Sequence, residues 1–271
     1  MYKELNRSDY ERILVVGDIH GCLSELKVLV ERLEPLLPDD IFVFIGDYID
    51  RGPDSKGVVD YLLKLKDKYN CVFLKGNHED MFLHYLGYKG HEGAYFLRNG
   101  GNETIKSYGA LDMITQTFHA NYENEEALKF KLGKEHLDFY KNLDLAAIIG
   151  KYVFVHANLS YYNGELSQQN PYDMLWERSN LRNQHEISPG CKKFHHTVIH
   201  GHTPMKEVFV DLPYEINVDT GCVFDGKIIG EERTKLSCLI IDNDDRMKVV
   251  QVTKDDHIFN EYYVETKKNT Q

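Results

Sequence analysis

The chain contains no apolar run of eighteen residues, so no stretch of it reads as a membrane-spanning helix. Cysteines are few: Cys22, Cys71, Cys191, Cys222 and Cys238 stand scattered, with no C-x-x-C pair. That spacing argues against a disulfide framework or a zinc ribbon and favours a reducing, cytoplasmic setting. The first twelve residues are polar and lack the apolar core of a signal peptide. Positive charge is in deficit, 32 Lys and Arg against 43 Asp and Glu, for a formal charge of −11. A nucleic-acid partner is therefore disfavoured, because such a binder neutralises phosphates with a basic face. Phosphate chemistry is not excluded, since bound divalent metals supply a local positive field. Repeats, low-complexity tracts and linkers are also missing, and a single domain over residues 1–271 is expected.

What is present is enough apolar residue, 42%, to bury a core. Its focus is Ile41 to Pro53, I-F-V-F-I-G-D-Y-I-D-R-G-P, an apolar strand running into Asp47, Asp50 and Arg51 at a glycine-bracketed turn. Alone, such a cluster is equally compatible with a surface charge network. The same pattern recurs, however. Arg12 to Gly17 forms a strand ending in Asp18 and His20, and Leu23, Leu26, Val30 and Leu33 then recur at helical spacing over Cys22 to Glu34. Asp54 and Ser55 are placed to cap a helix carrying Val58, Val59, Leu62 and Leu65. Cys71 to Leu74 leads to Gly76-Asn77-His78-Glu79 and a helix beginning near Asp80. Three strand-turn-helix units thus present acidic, amide and imidazole groups at one sheet edge, where open α/β sheets collect ligands.

From Lys89 to Leu143 the pattern suggests a helical cap or insertion, with short helix Glu103 to Tyr108 and a longer one through Leu128, Leu132, Phe139, Tyr140 and Leu143. The sheet resumes over Leu145 to Ile149 and Tyr152 to Val155, whose tip carries His156. A polar loop over residues 157–193 follows, and loops of that length are often functional. Thr197 to Ile199 lead to His200-Gly201-His202. Glu215 to Val218, Lys227 to Ile229, Ser237 to Asp242 and Met247 to Val252 read as antiparallel strands, and the tail after Tyr263 is polar.

Collected, the candidate metal ligands are Asp18, His20, Asp47, Asn77, His156 and His202. Carboxylate, imidazole and amide oxygen together suit borderline divalent metals such as Mn, Fe, Zn, Co or Ni rather than calcium. Asp47 on the central strand is the candidate bridge between two ions, with Asp18 and His20 on one side and Asn77, His156 and His202 on the other. Two ions about 3.5–4 Å apart clamp an in-line displacement at phosphorus.

The blocks G-D-I-H-G, G-D-Y-I-D-R-G, G-N-H-E, V-H-A and G-H-T-P, in that order from Gly17 to Cys238, resemble the calcineurin-like metallophosphoesterases, and among them the phosphoprotein phosphatase branch. The resemblance implies a mixed α/β fold, two β-sheets packed as a sandwich flanked by helices, and a centre of two divalent metals, manganese first among them. It implies that His78 protonates the leaving oxygen, that Asp50 orients His78, and that Arg51 holds the phosphoryl oxygens. Leu175-Trp176-Glu177-Arg178 is similar to the block supplying a second phosphate-binding arginine, so Arg178 is nominated, with Arg182 as the fallback. In the expected reaction a metal-bridging hydroxide attacks phosphorus directly, without a phosphoenzyme.

His195, His196 and His200 are set aside as non-ligands, His200 being the nearest competitor of His202. Asn158 stands where many relatives carry glycine, and asparagine tolerates a left-handed backbone. Pro204 replaces the second histidine of the G-H-x-H string found in nucleases and phosphodiesterases, which favours the phosphatase branch. Within it, phosphoserine, phosphothreonine and phosphotyrosine proteins are the first expected substrates, and symmetrical hydrolysis of diadenosine tetraphosphate is the alternative. A catalytically silent binding scaffold on the same fold would lack a ligand, acid or arginine, and none is missing.

Overall fold

A computed structural model describes residues 2–110, 122–160, 164–183, 195–224, 230 and 234–264. Its first half alternates strands and helices: β1 (Tyr2–Leu5), β2 (Ile13–Val16), α1 (Leu23–Arg32), β3 (Ile41–Phe44), α2 (Ser55–Lys66), β4 (Asn70–Phe73) and α3 (Asn77–Tyr85). Helices α4 (Gly101–Ser107) and α5 (Tyr122–Lys141) follow, the latter broken at Gly133, then β5 (Ala146–Ile149) and β6 (Tyr152–Val155). The remainder comprises α6 (Pro171–Trp176), β7 (Thr197–His200), β8 (Phe209–Asp211), β9 (Glu215–Asn217), β10 (Lys235–Ile241), β11 (Met247–Thr253) and β12 (Phe259–Tyr263). Among these residues no helix is long and apolar enough to cross a membrane.

The strands form two six-stranded mixed sheets, ordered β1-β5-β6-β7-β9-β8 and β12-β11-β10-β2-β3-β4. Strands β2 and β3 carry the unbroken apolar runs that parallel strands need when both faces are covered, and the edge strand β4 continues the parallel set with Val72 and Phe73 buried. Alternation sorts those runs. Ile13, Val15, Ile41, Val43 and Val72 face the second sheet, where Ala147, Ile149, Tyr152, Phe154, Ile199 and Ile216 meet them. Leu14, Val16, Phe42, Phe44 and Phe73 face the other way, onto Leu26, Leu29, Val30, Val58, Val59 and Leu62 of α1 and α2. On the outer face of the second sheet, Val153, Val155 and Val198 pack under Met174 of α6 with Leu159, Leu166 and Leu181. The result is a helix–sheet–sheet–helix sandwich.

Register places the strand tips. Val16 is opposite Phe44, and Phe44 opposite Phe73, so the loops after β2, β3 and β4 begin at one level. In the second sheet β6 and β7 run parallel, which brings the segments after Val155 and His200 to neighbouring positions.

Several boundaries and pairings differ from the sequence expectation. Helix α3 begins at Asn77 rather than near Asp80, because Glu79 reaches back to the Gly76 N–H in the manner of a capping box (2.9 Å) and draws the first turn forward. The Glu215 strand is not simply antiparallel. β9 runs parallel to β7 and antiparallel to β8. Strands β1, β8 and β12 were not expected; β1 is a mostly exposed edge whose Y-K-E-L sequence lacks alternation. The strand expected over Lys227 to Ile229, the thiol of Cys191 and the tail beyond residue 264 lie outside the described residues. Asn158 is not left-handed: its buried amide donates to Glu215 Oε2 (2.8 Å) and to the Ser179 carbonyl (3.2 Å).

Phe44 is fully buried, stacked on Phe42 and on Phe73 with ring centroids 5.5 and 5.3 Å away. Phe44→Ala is expected to lower the unfolding free energy by about 3–5 kcal/mol in urea titrations. A loss under about 1 kcal/mol would contradict this packing.

Candidate active site

The loops at the strand tips depart from ordinary backbone geometry. His20, Asp47, Asp50, Arg51 and His202 all have positive φ, between 46° and 73°. Each such residue costs about 1–3 kcal/mol and persists only where its surroundings over-determine it. At Asp47 the determinants are explicit. Its carbonyl accepts from the N–H groups of Ile19 (3.0 Å) and His20 (2.8 Å). The buried Glu79 carboxylate accepts from the N–H groups of Asp47 (2.9 Å), Tyr48 (2.8 Å) and Gly76 (2.9 Å). Gly46 and Gly76 permit the approach, since a Cβ on Gly76 would lie 2.1 Å from Asp47 Oδ1.

The candidate ligands converge. His20 Nδ1 faces the Ile49 carbonyl at 2.7 Å and His156 Nδ1 the Ile45 carbonyl at 2.9 Å. A carbonyl only accepts, so each ring carries its proton on Nδ1 and turns an Nε2 lone pair inward. His20 Nε2 lies 3.4 Å from Asp47 Oδ2. His156 Nε2 lies 3.4 Å from Asp47 Oδ1, 3.0 Å from Asn77 Oδ1 and 3.2 Å from His202 Nδ1. His202 Nε2 is buried without a hydrogen-bond partner. Asp18, also buried, accepts the His202 N–H (3.2 Å).

Electron-pair donors turned toward one another in a buried space repel unless a cation lies between them. Imidazoles held by a backbone carbonyl at the opposite nitrogen are the usual form of a metal ligand. The donor set of Asp47, His156 and His202, and that of His20, Asp47 and His78, each lie within 4.8 Å of one another. Burial pulls His20, His156 and His202 below the ordinary imidazole range, which keeps their lone pairs free. Burial opposes ionisation of Asp47, but the surrounding imidazoles, His156 foremost, outweigh it and hold the carboxyl below its usual range. The residues therefore fit a divalent metal.

Beside this cluster sits an imidazole–carboxylate pair. His78 Nδ1 is 2.6 Å from Asp50 Oδ2, both fully or almost fully buried. Burial raises the Asp50 carboxyl, against the pull of His78. The Asp50 backbone N–H donates to Thr104 Oγ1 (2.9 Å), which donates in turn to Asp50 Oδ1 (2.6 Å). Arg51 Nη1 donates to His20 Nε2 (2.6 Å), and the Arg51 N–H donates to the Gly100 carbonyl (3.1 Å). The Asn99-Gly100-Gly101 turn thus shapes the edge of the site.

Arg178 Nη1 donates to the His202 carbonyl and to Thr203 Oγ1, both at 3.1 Å, placing an exposed guanidinium at the His202 end. Arg182 instead pairs with Asp211 and lies over Tyr214. His200 packs toward Glu215 (3.6 Å), away from the cluster, and His195 and His196 lie outside it.

Three residues beside the site were given no role in the sequence reading. Glu79 clamps the Asp47 loop, and the Gly-x-x-Glu spacing at a helix start was its available signal. Thr104 reaches Asp50 across 54 positions. Asp219 is buried, pushed up to about 6 by burial and the nearby Asp47, and receives the Gly221 N–H (2.8 Å).

A family model described as calcineurin-like phosphoesterase matches residues 11–229. The chain belongs to the calcineurin-like phosphoesterase family. It is an enzyme of hydrolase type, and the family is metal-dependent. It is 29% identical over 231 residues to the bis(5'-nucleosyl)-tetraphosphatase PrpE [asymmetrical] of Anoxybacillus flavithermus, covering 79% of this chain and 87% of that protein. It is also 29% identical over 235 residues to serine/threonine-protein phosphatase 1 of Salmonella typhimurium, covering 84% of this chain and 94% of that protein. A protein serine/threonine phosphatase structure from Saccharomyces cerevisiae superposes with a TM-score of 0.56 at 16% identity, over 99% of this chain and 84% of that one, and shows the same fold. In this family frame, the phosphatase expectation stands.

Glu79→Gln replaces one acceptor oxygen with a donor facing backbone N–H groups. Divalent-cation affinity is expected to fall about 10–100-fold by calorimetric titration while far-ultraviolet circular dichroism is preserved. Unchanged affinity would remove Glu79 from the positioning of Asp47.

Proposed function

We propose that this phosphoesterase is a two-metal phosphatase acting on phosphate monoesters of serine, threonine or tyrosine in proteins. The reading rests on the buried His78–Asp50 pair standing beside the Asp47-centred donor cluster. Asp18, His20 and Asp47 would hold one divalent ion and Asp47, Asn77, His156 and His202 the other, with manganese the first candidate. Bound cations supply a concentrated positive field at the phosphoryl group and acidify the attacking water. Arg51 and Arg178, at opposite ends of the cluster, orient the phosphoryl oxygens and meet the charge that grows on them. Asp50 accepts from His78 Nδ1 and orients the ring, so that a proton carried on His78 Nε2 is delivered to the leaving oxygen. A seryl or threonyl alkoxide is a poor leaving group without it.

Dinucleoside tetraphosphate hydrolysis is the second reading. Relatives named as asymmetrical tetraphosphatases support it, and their names point to asymmetrical rather than symmetrical cleavage. So does the ring pair Tyr172–Trp176, stacked 6.0 Å apart, with Trp176 edge-on to His202 at 6.0 Å and Tyr172 38% exposed. An exposed ring stack beside a phosphate site is suited to a nucleobase.

His78→Asn is expected to lower kcat by about 10²–10⁴-fold while elemental analysis finds the metal content unchanged; loss of metal would make His78 a ligand. Arg178→Ala should weaken substrate binding, and Arg182→Ala should leave kcat/KM near wild type. The substrate is decided by kcat/KM for a phosphoserine peptide and for diadenosine tetraphosphate on one manganese-loaded preparation. A preference of about a hundredfold for the peptide, some 2.7 kcal/mol in transition-state binding, supports the first reading. The reverse preference, weakened by Tyr172→Ala, replaces it with the second.

A further inference from the structure

Cys22, Glu25 and Cys222 meet in a second buried cluster, away from the Asp47 donors. Their ligand atoms all lie within 4.8 Å of one another, and the three residues are between 2% and 4% exposed. The thiols belong to distant parts of the chain, Cys22 at the start of α1 and Cys222 in the loop after β9. An imidazole stands beside Glu25, outside the group of three. His257, in the turn between β11 and β12, places Nε2 3.6 Å from Glu25 Oε1, and that nitrogen is buried without a hydrogen-bond partner.

We propose that Cys22, Cys222 and Glu25 are three ligands of a structural site for a tetrahedral divalent cation of the zinc type, and that His257, next to Glu25, closes on the ion as the fourth when it binds. Two sulfurs, one imidazole nitrogen and one carboxylate oxygen are a tetrahedral zinc donor set. With Zn–S bonds of about 2.3 Å, neighbouring sulfurs sit about 3.8 Å apart, and the two thiols here lie within 4.8 Å of one another. Binding releases the two thiol protons to solvent. Two thiolates, a carboxylate, a neutral imidazole and a dication leave one negative charge. Lys254, whose Nζ donates to the Val223 carbonyl next to Cys222 (2.9 Å), lies beside the cluster to balance it. All four positions are filled by protein, so the site is closed to substrate. Its effect is to tie the α1 start, the loop after β9 and the β11–β12 turn together. Cys22 also donates to the His20 carbonyl (3.7 Å), so the tie ends at the turn that carries a candidate catalytic-metal ligand.

Cobalt(II) tests this directly, because a cobalt–thiolate centre has an intense near-ultraviolet sulfur-to-metal band that the nitrogen and oxygen donors around Asp47 cannot produce. Reduced full-length protein titrated with cobalt(II) is expected to show the band and to bind one more equivalent than Cys222→Ser, which loses it. Asp47→Asn, which disturbs only the other cluster, should keep the band. His257→Ala, at a partly exposed turn, should keep it too while shifting the visible spectrum and weakening cobalt binding about tenfold. Absence of the band in folded wild-type protein that binds cobalt elsewhere overturns the proposal. So does its persistence in Cys222→Ser, or a Cys22–Cys222 disulfide found by mass spectrometry in protein purified without reductant.

Discussion

The Glu79 carboxylate, accepting three backbone N–H groups from two different loops, is the contact on which the rest of the site depends. It joins the end of β3 to the start of α3, and in doing so holds Asp47 in a left-handed backbone that the residue would not adopt alone. From that conformation the Asp47 carbonyl reaches the N–H groups of Ile19 and His20, so the loop after β2 is aligned by the same clamp. A carboxylate is expensive to bury: burial and the nearby Asp47 push Glu79 up to about 8, and the Tyr48 and Gly76 N–H donors pull against that shift. The absence of Cβ atoms at Gly46 and Gly76 is what lets the two loops come close enough for those hydrogen bonds to form.

Protons at the site are arranged by the same logic. Backbone carbonyls of Ile45 and Ile49 occupy one nitrogen of His156 and His20, leaving the other nitrogen as a lone pair that faces Asp47. His78 has a different partner. Its Nδ1 meets the Asp50 carboxyl group rather than a backbone carbonyl. Two imidazoles backed by carbonyls and one backed by a carboxyl group therefore sit close together, distinguished by what lies behind each ring. The two guanidinium groups complete the charge pattern: Arg51 is drawn against the cluster, and Arg178 is carried to its far side by the segment after α6.

Much of this was legible in the chain. Each donor in the cluster follows an apolar run within a few positions, and a strand buried on both faces announces itself by that run, so the tip residues could be collected before any tertiary arrangement was known. The helices α1 and α2 were equally readable, from apolar spacing and from Asp54, whose side chain caps the second by accepting the Gly57 N–H. Residues acting across long separations were not. Thr104 in α4 supports Asp50, and the choice between Arg178 and Arg182 falls in a polar segment without periodicity, so no local signal could rank them. The parallel pairing of β9 with β7, and the edge strand β1 beside β5, likewise depend on partners that a strand's own composition does not name.

The order of apolar runs and polar tips by itself determined the mixed α/β character and the set of polar tip residues that could act as donors, because burial period and turn chemistry are local properties. Which lone pairs face each other, which imidazole is paired with a carboxylate, and which arginine reaches the cluster were decided only by the tertiary structure. Those relations are set by strand register and by the packing of one sheet on the other, and both are collective outcomes of the whole core rather than of any segment.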